Sequence, residues 1–396
     1  MDNVRLRRIR ISLLVGALAM FALLYAPQPV LPQLAGSFGL SPGAAALTVS
    51  AATLGLAFGA IPLGMLSEAV GRRRTMICSL VLAEALGLVM PFVPDFTLLV
   101  ALRLVQGVAI AGLAAVAAAY LAAETDGRQL GATMGLYVAG TTIGGMSGRL
   151  LGGVSGDFAG WTGGVLTVAV LGGACTVLFV VLLPAERVHR RQPLRWEPLL
   201  AGLRTALSDP VLYVPYLVAA LGMGSFVAVY NVLGFRLIAP PLLVAPALAA
   251  LAFLAYAAGT VTSAIAGRVA DLWGRTRTLL YGLVIAAAGL LLMLVDDLPT
   301  ILFGLVVFTG GFFAAHSVAS GWVGARADES ARGQASALYQ FSYYGGSSVG
   351  GVIGGIAYAA WGWTGMTAVL CVSIGLAAAT VVIAHRAPVL QVASES

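Results

Sequence analysis

Between two long apolar runs the chain reads Gly64-Met65-Leu66-Ser67-Glu68-Ala69-Val70-Gly71-Arg72-Arg73-Arg74, and 203 positions later it reads Gly267-Arg268-Val269-Ala270-Asp271-Leu272-Trp273-Gly274-Arg275-Thr276-Arg277. Glycine, acid, glycine and two arginines keep their spacing, so two parts of the chain descend from one unit. Gly64 permits close helix approach, Gly71 and Gly274 permit a tight turn, and arginines at such a turn suit the headgroups of a cytoplasmic leaflet. A second echo extends the repeat. Leu136-Tyr137, Gly144, Gly148, Gly152 and Gly160-Trp161-Thr162-Gly163 return 202 positions later as Leu338-Tyr339, Gly346, Gly350, Gly354 and Gly362-Trp363-Thr364-Gly365. Parallel halves of this kind are what alternating access needs, because a site at their interface can face either side in turn.

The 396 residues are 60 % hydrophobic and 10 % charged, with a mean hydropathy of +0.96, whereas soluble chains run about 45–50 % apolar and about 25 % charged. At about 20 apolar residues per crossing, the content suffices for roughly twelve helices. Apolar runs fall at 11–32, 44–66, 75–93, 97–122, 130–156 and 161–183, then at 210–235, 243–266, 278–295, 300–323, 333–359 and 363–384. The prediction is an all-α integral membrane fold of twelve transmembrane helices in two pseudo-symmetric six-helix bundles, 1–183 and 210–396, joined by a cytoplasmic linker at 184–209. The first run is too long for a signal-peptide core and has no small-residue cleavage site, so it reads as an uncleaved span.

Charge supplies orientation. All 22 basic residues are arginine, and 19 of them lie in the amino-terminal arm, alternate loops and the tail. The opposite loops hold Arg236 with Asp95, Asp157, Asp296 and Asp297. Positive residues stay cytoplasmic, so both termini are predicted on that side. The net charge of +6 is therefore mostly topology and gives no reason to expect nucleic acid. The absence of lysine removes Schiff-base and P-loop chemistry, and Cys78, Cys175 and Cys371, each within an apolar run, suggest neither a disulfide framework nor a metal site. No cofactor is expected, and no base or metal cluster points to an enzyme. The linker carries Trp196-Glu197-Pro198-Leu199-Leu200 ahead of Leu203 and Leu207, which reads either as an interfacial helix on anionic headgroups or as a solvated tether.

The stretch from Gly64 to Arg74 resembles the signature of the major facilitator superfamily, which reads Gly, any, Leu, small, Asp, Arg, any, Gly, Arg, Arg/Lys. The resemblance implies that Glu68 with Arg72 and Arg73, and their echo Asp271, Gly274 and Arg275, brace the cytoplasmic side when the cavity opens outward. Glu68 replaces Asp here and Ala69 replaces Arg. Arg103-Leu104-Val105-Gln106-Gly107 resembles the Arg-x-x-Gln-Gly signature prominent in the proton-coupled drug exporters of the same superfamily. Gly140-Thr141-Thr142-Ile143-Gly144-Gly145 resembles the antiporter signature Gly-Pro-x-x-Gly-Gly, with Thr141 in place of Pro. Gly140, Gly144 and Gly148 line one helix face, either as a smooth moving seam or as a close static pair. The stretch from Thr142 to Arg149 resembles the bacterial YnfM-like branch.

Ionisable residues within spans are functional candidates by default. Arg103 stands six residues into its run, roughly 9 Å deep, either as a cavity-side charge or snorkelling to the surface. Glu84 stands near mid-bilayer, as a proton site, a partner of Arg103 or a neutral hydrogen-bonded acid. His316 either titrates or packs, and Arg149 either pairs with Asp157 or snorkels. The superfamily resemblance implies a pocket from spans one, four, seven and ten, offering Tyr25, Gln28, Arg103, Gln106, Tyr230 and Asn231, with Gln340, Tyr343 and Tyr344 from span eleven. The tyrosines also suit an interfacial belt. Apolar walls with a few neutral polar groups fit an amphipathic organic molecule. The expectation is a monomeric, lipid-embedded transporter of the bacterial inner membrane driving proton-coupled efflux, with an importer or uniporter of a polar metabolite as the alternative.

Overall fold

The computed structural model describes residues 3–125, 127–187 and 196–386. Arg190, Arg191 and Arg195, counted above with the linker, lie outside the described residues. Helices run in the order α1 Asn3–Tyr25, α2 Leu31–Phe38, α3 Pro42–Val70, α4 Arg72–Val89, α5 Phe96–Glu124, α6 Gly127–Leu182, α7 Trp196–Ser208, α8 Tyr213–Ile238, α9 Pro246–Ala250, α10 Tyr256–Trp273, α11 Arg275–Leu292, α12 Leu298–Arg326 and α13 Arg332–Arg386. There is no strand among the described residues.

Among the described residues ten apolar stretches are long enough to cross a membrane, and two of them, in α6 and α13, run to 54 residues. Straight, each would measure about 81 Å against a hydrocarbon core of about 30 Å. Both are broken by a glycine in left-handed backbone, Gly160 at φ +68° and Gly362 at φ +65°. In α6 the chain folds back there, since a Cβ at Gly164 would sit 2.6 Å from the Gly152 carbonyl oxygen. At the far end Arg8 donates to the carbonyls of Val181 and Leu182, and Arg10 donates to Thr133 Oγ1. Two hairpins among ten stretches make twelve crossings, as the sequence predicts.

α1 starts about two turns before the predicted boundary, so Arg5 to Arg10 are helical. It ends at Tyr25 because the residues that would donate to the Leu23 and Tyr25 carbonyls, four positions on, are Pro27 and Pro29. A 3-10 turn over Gln28–Val30 leads into α2, which Gly39 closes at φ +64°. Asp95 and Asp297, 202 residues apart, cap α5 and α12 by accepting from the backbone N–H of Leu98 and Thr300 at 2.7 and 3.0 Å.

The chain forms two compact units, one of Met1–Leu40, Leu47–Leu194 and Ala245–Phe253, the other of Ser41–Ala46, Arg195–Val244 and Leu254–Ser396. In the first, α1 packs along the first arm of α6 and α4 along α5. A Cβ at Gly140 or Gly148 would lie 2.6 Å from backbone atoms of Leu14 or Ala22, and Gly144 is as tight against Leu18. In the second, α8 packs along α13 and α11 along α12, and Gly346, Gly350 and Gly354 touch Ala220, Gly224 and Ala228 in the same way.

Candidate functional site

Arg103 is 2 % exposed and does not snorkel. Its Nε donates to the Thr48 carbonyl at 2.7 Å, Nη1 donates to the Leu23 carbonyl at 3.1 Å and to Gln106 Oε1, and Nη2 donates to the Leu24 carbonyl. The guanidinium thus reaches two of the last carbonyls of α1, one of them that of Leu23, which loses its i+4 donor to Pro27, and it ties α1 and α3 to α5. Gln106 completes the knot by donating to the Ala83 carbonyl on α4 at 2.8 Å. Arg103 and Gln106 were expected as substrate and proton residues; the structure places both inside a four-helix knot, bonded to backbone and to each other.

Glu84 is 4 % exposed and lies on α4 against the second arm of α6. Thr176 donates to its Oε2 at 3.3 Å, and Oε1 is buried without a hydrogen-bond partner among the described residues. Gly172 gives it room, since a Cβ there would come within 2.8 Å of Oε2. It forms no ion pair among the described residues, so of the partners considered from sequence Arg103 is not one.

Tyr25 and Gln28 come together around Arg149. Its Nε donates to Gln28 Oε1 at 2.5 Å, Nη1 donates to the Gly145 carbonyl at 2.6 Å, and its guanidinium carbon sits 3.9 Å above the centre of the Tyr25 ring. At 1 % exposure Arg149 is a buried cation facing a π-system, a favourable arrangement. The sequence marks Arg149 by its charge inside a run but carries no signal for a contact 121 residues away.

In the second unit Tyr230 bonds Thr309 Oγ1 at 2.7 Å and packs against Phe226 and Tyr256, each at 4.8 Å between centres. Asn231 is buried beside it. Phe226 stacks on Phe312 at 4.3 Å, Phe312 on His316 at 5.9 Å, and His316 meets Tyr343 at 4.6 Å. The ring Nδ1 of His316 bonds Tyr339 Oη at 2.8 Å. Tyr230, His316 and Tyr343 therefore belong to one aromatic array across α8, α12 and α13, with Tyr344 edge-on to Tyr343. Gln340 is exposed and stands outside these ring contacts. Phe226, Tyr256 and Thr309 carry no mark in the sequence, and Tyr339 is marked there only by the repeat, because aromatic and small polar residues in apolar runs are indistinguishable from core.

The repeated basic turns differ. Arg72 donates to Glu68 Oε1 at 2.8 and 3.1 Å and to the Ala119 carbonyl at 3.3 Å. Arg73 receives support from both ends, its N–H donating to Glu186 and its Nε to the Leu183 carbonyl, at 2.6 and 2.9 Å. Asp271 and Arg275 are exposed and form no ion pair among the described residues. A buried Glu124 instead accepts from Arg5 at 2.5 Å and from the Arg187 N–H at 2.8 Å.

The family model of the Major Facilitator Superfamily matches residues 13–254 and 237–395. The chain is 38 % identical to the inner membrane transport protein YnfM of Escherichia coli, over 93 % of this chain and 88 % of that one. It is 36 % identical to the uncharacterized MFS-type transporter YybF of Bacillus subtilis, over 92 % and 90 %. Among solved structures it is similar to the nucleoside transporter NupG, with a TM-score of 0.79 at 13 % identity over 95 % of this chain and 99 % of that one. It is also similar to an inward-facing bacterial homologue of the lysosomal transporter Spinster, with a TM-score of 0.77 at 16 % identity over 100 % and 96 %.

Proposed function

The chain belongs to the major facilitator superfamily, on its YnfM-like branch, and from that premise we propose that it exports a small amphipathic organic molecule in exchange for protons. Membership brings secondary transport by alternating access, in a multi-pass protein of the bacterial inner membrane that binds small molecules. Proton coupling rests on Glu84, a carboxyl near mid-bilayer whose Oε1 has no hydrogen-bond partner among the described residues and whose Oε2 has one long bond from Thr176. A group held so lightly can gain and lose a proton without dismantling a network. His316, tied to Tyr339, is the second candidate.

The candidate substrate residues are, within the first unit, Tyr25 and Gln28 and, within the second taken by itself, Tyr230, Asn231, Tyr343 and Gln340. Arg103 and Gln106 serve them by fixing the break at the end of α1. The glycine seam at Gly140, Gly144 and Gly148 and the basic turns at Gly64, Glu68, Gly71, Arg72, Arg73, Asp271, Gly274 and Arg275 act in gating. The protein works as a monomer with both termini in the cytoplasm.

The test is a set of proteoliposomes with an imposed pH gradient, in which a compound found by susceptibility profiling should move faster than through empty vesicles. Movement indifferent to the gradient removes the coupling. Thr141 in place of proline, and the lack of an acid in 11–32, favour the second reading, uptake or uniport of a polar metabolite. Direction in inverted against right-side-out vesicles separates the two.

A further inference from the structure

α7, the linker helix, packs on its own unit through a narrow face. Gly202 and Ala206 are buried, and a Cβ at Gly202 would come within 2.7 Å of Gln334 on α13. Its carboxyl end is fixed at the start of α8, where Tyr213 Oη donates to the Leu207 carbonyl at 3.0 Å and Asp209 pairs with Arg326 at 2.7 Å. The helix is therefore held at the level where α8, α12 and α13 meet the membrane surface.

At 100° per residue, Trp196, Leu200, Leu203 and Leu207 fall within about 60° of one another, beside the packed face. Trp196, Leu200 and Leu207 are 55, 48 and 43 % exposed. Arg204, also exposed, borders that stripe, while Ala201 and Thr205 lie on the far side. Charge identifies what covers the stripe. The sequence from 184 to 209 holds five arginines and three acids, and two of the acids are engaged, Glu186 by the Arg73 N–H and Asp209 by Arg326. A tryptophan and three leucines bordered by Arg204, in a linker whose sequence carries five arginines and three acids, complement an apolar layer under anionic headgroups.

We propose that α7 lies in the headgroup layer of the arginine-bearing leaflet, with Trp196, Leu200, Leu203 and Leu207 turned into the acyl boundary and Arg204 on lipid phosphates. The stripe then sits about 5–10 Å below the phosphates. The linker is thereby a membrane-surface element rather than a free tether.

The experiment uses the full chain with Cys78, Cys175 and Cys371 replaced, and a nitroxide at Leu200→Cys, Leu207→Cys, Ala201→Cys or Thr205→Cys. The protein is placed singly in nanodiscs of phosphatidylcholine, with or without phosphatidylglycerol. Labels at 200 and 207 should collide several-fold more with oxygen than with a water-soluble nickel chelate, and labels at 201 and 205 should show the reverse. Nickel access at 200 and 207 equal to that at 201 and 205 overturns the proposal in favour of a solvated helix. Shielding of 200 and 207 from both reagents overturns it in favour of a protein covering, and a second copy is that covering if the shielding needs two chains per disc. Arg204→Gln should lift the label at 207 in phosphatidylglycerol discs and leave it unchanged in pure phosphatidylcholine; an equal effect in both removes the role given to anionic phosphates.

Discussion

Leu23 has no N–H to receive from position 27, because position 27 is proline, and Arg103 brings one from another helix. The guanidinium suits this role because its planar fork reaches several acceptors at once, which an ammonium on a flexible stem does not. Arg103→Lys keeps the charge but cannot reach the Leu23, Leu24 and Thr48 carbonyls at once, and each charge-assisted bond it loses costs about 1.5–3 kcal/mol. The melting temperature in detergent should fall by several degrees and transport should be lost. Lost transport at an unchanged melting temperature would instead put the side chain in contact with substrate. Glu84→Gln is the contrasting case, nearly isosteric and still able to accept from Thr176. It should fold and melt like the parent while its transport loses dependence on pH; a retained pH profile moves the proton to His316, Glu68 or Asp271. Both residues were legible in the sequence, since a charge inside an apolar run announces itself. Their partners were not, because backbone carbonyls and glycine clefts leave no mark on residue identity.

At the level of helices, tight glycine contacts decide which glycines can be replaced. A Cβ at Gly144 would meet the Leu18 backbone, with the Leu18 Cα at 2.6 Å, whereas Gly135, about two and a half turns earlier on the same helix, has nothing within 4 Å among the described residues. Backbone cannot yield as a flexible side chain does, so Gly144→Ala should push α1 from α6, lowering both thermal stability and transport. Gly135→Ala meets open space and should hold or raise stability, by up to about 1 kcal/mol through helix preference. Equal behaviour of the two variants would show that the seam is loose. The glycine rows were readable from their spacing of four, and their recurrence in α13 carried over into contacts with α8. The turn chemistry was readable only in part. The 203-residue echo kept its residues, yet Glu68 binds Arg72 while Asp271 and Arg275 stand apart, because an ion pair depends on the flanking packing that the two halves do not share.

The crossing number of the whole molecule hangs on Gly160 and Gly362. Were α6 and α13 single crossings, every segment between them would change sides, and the arginines at 187–204 and 326–332 would face the periplasm against the positive-inside rule. With both helices folded back, the crossings number as the charge-based expectation of orientation requires, and Arg236 is held by Asp296 at 2.8 Å. Single cysteines at Ser37, Asp157, Ser208 and Ser330, all exposed, separate the alternatives in a chain without native cysteines. In right-side-out vesicles an impermeant maleimide should modify positions 37 and 157 and spare 208 and 330. A single crossing by α6 would instead expose 208 and 330 together, because one missing turn reverses everything after it. Position 37 would react in either case and serves as the control. The apolar runs of the sequence number twelve and the long helices among the described residues number ten; the two left-handed glycines reconcile the counts, so modification at 208 would refute the hairpin in α6 and the charge-based orientation at once.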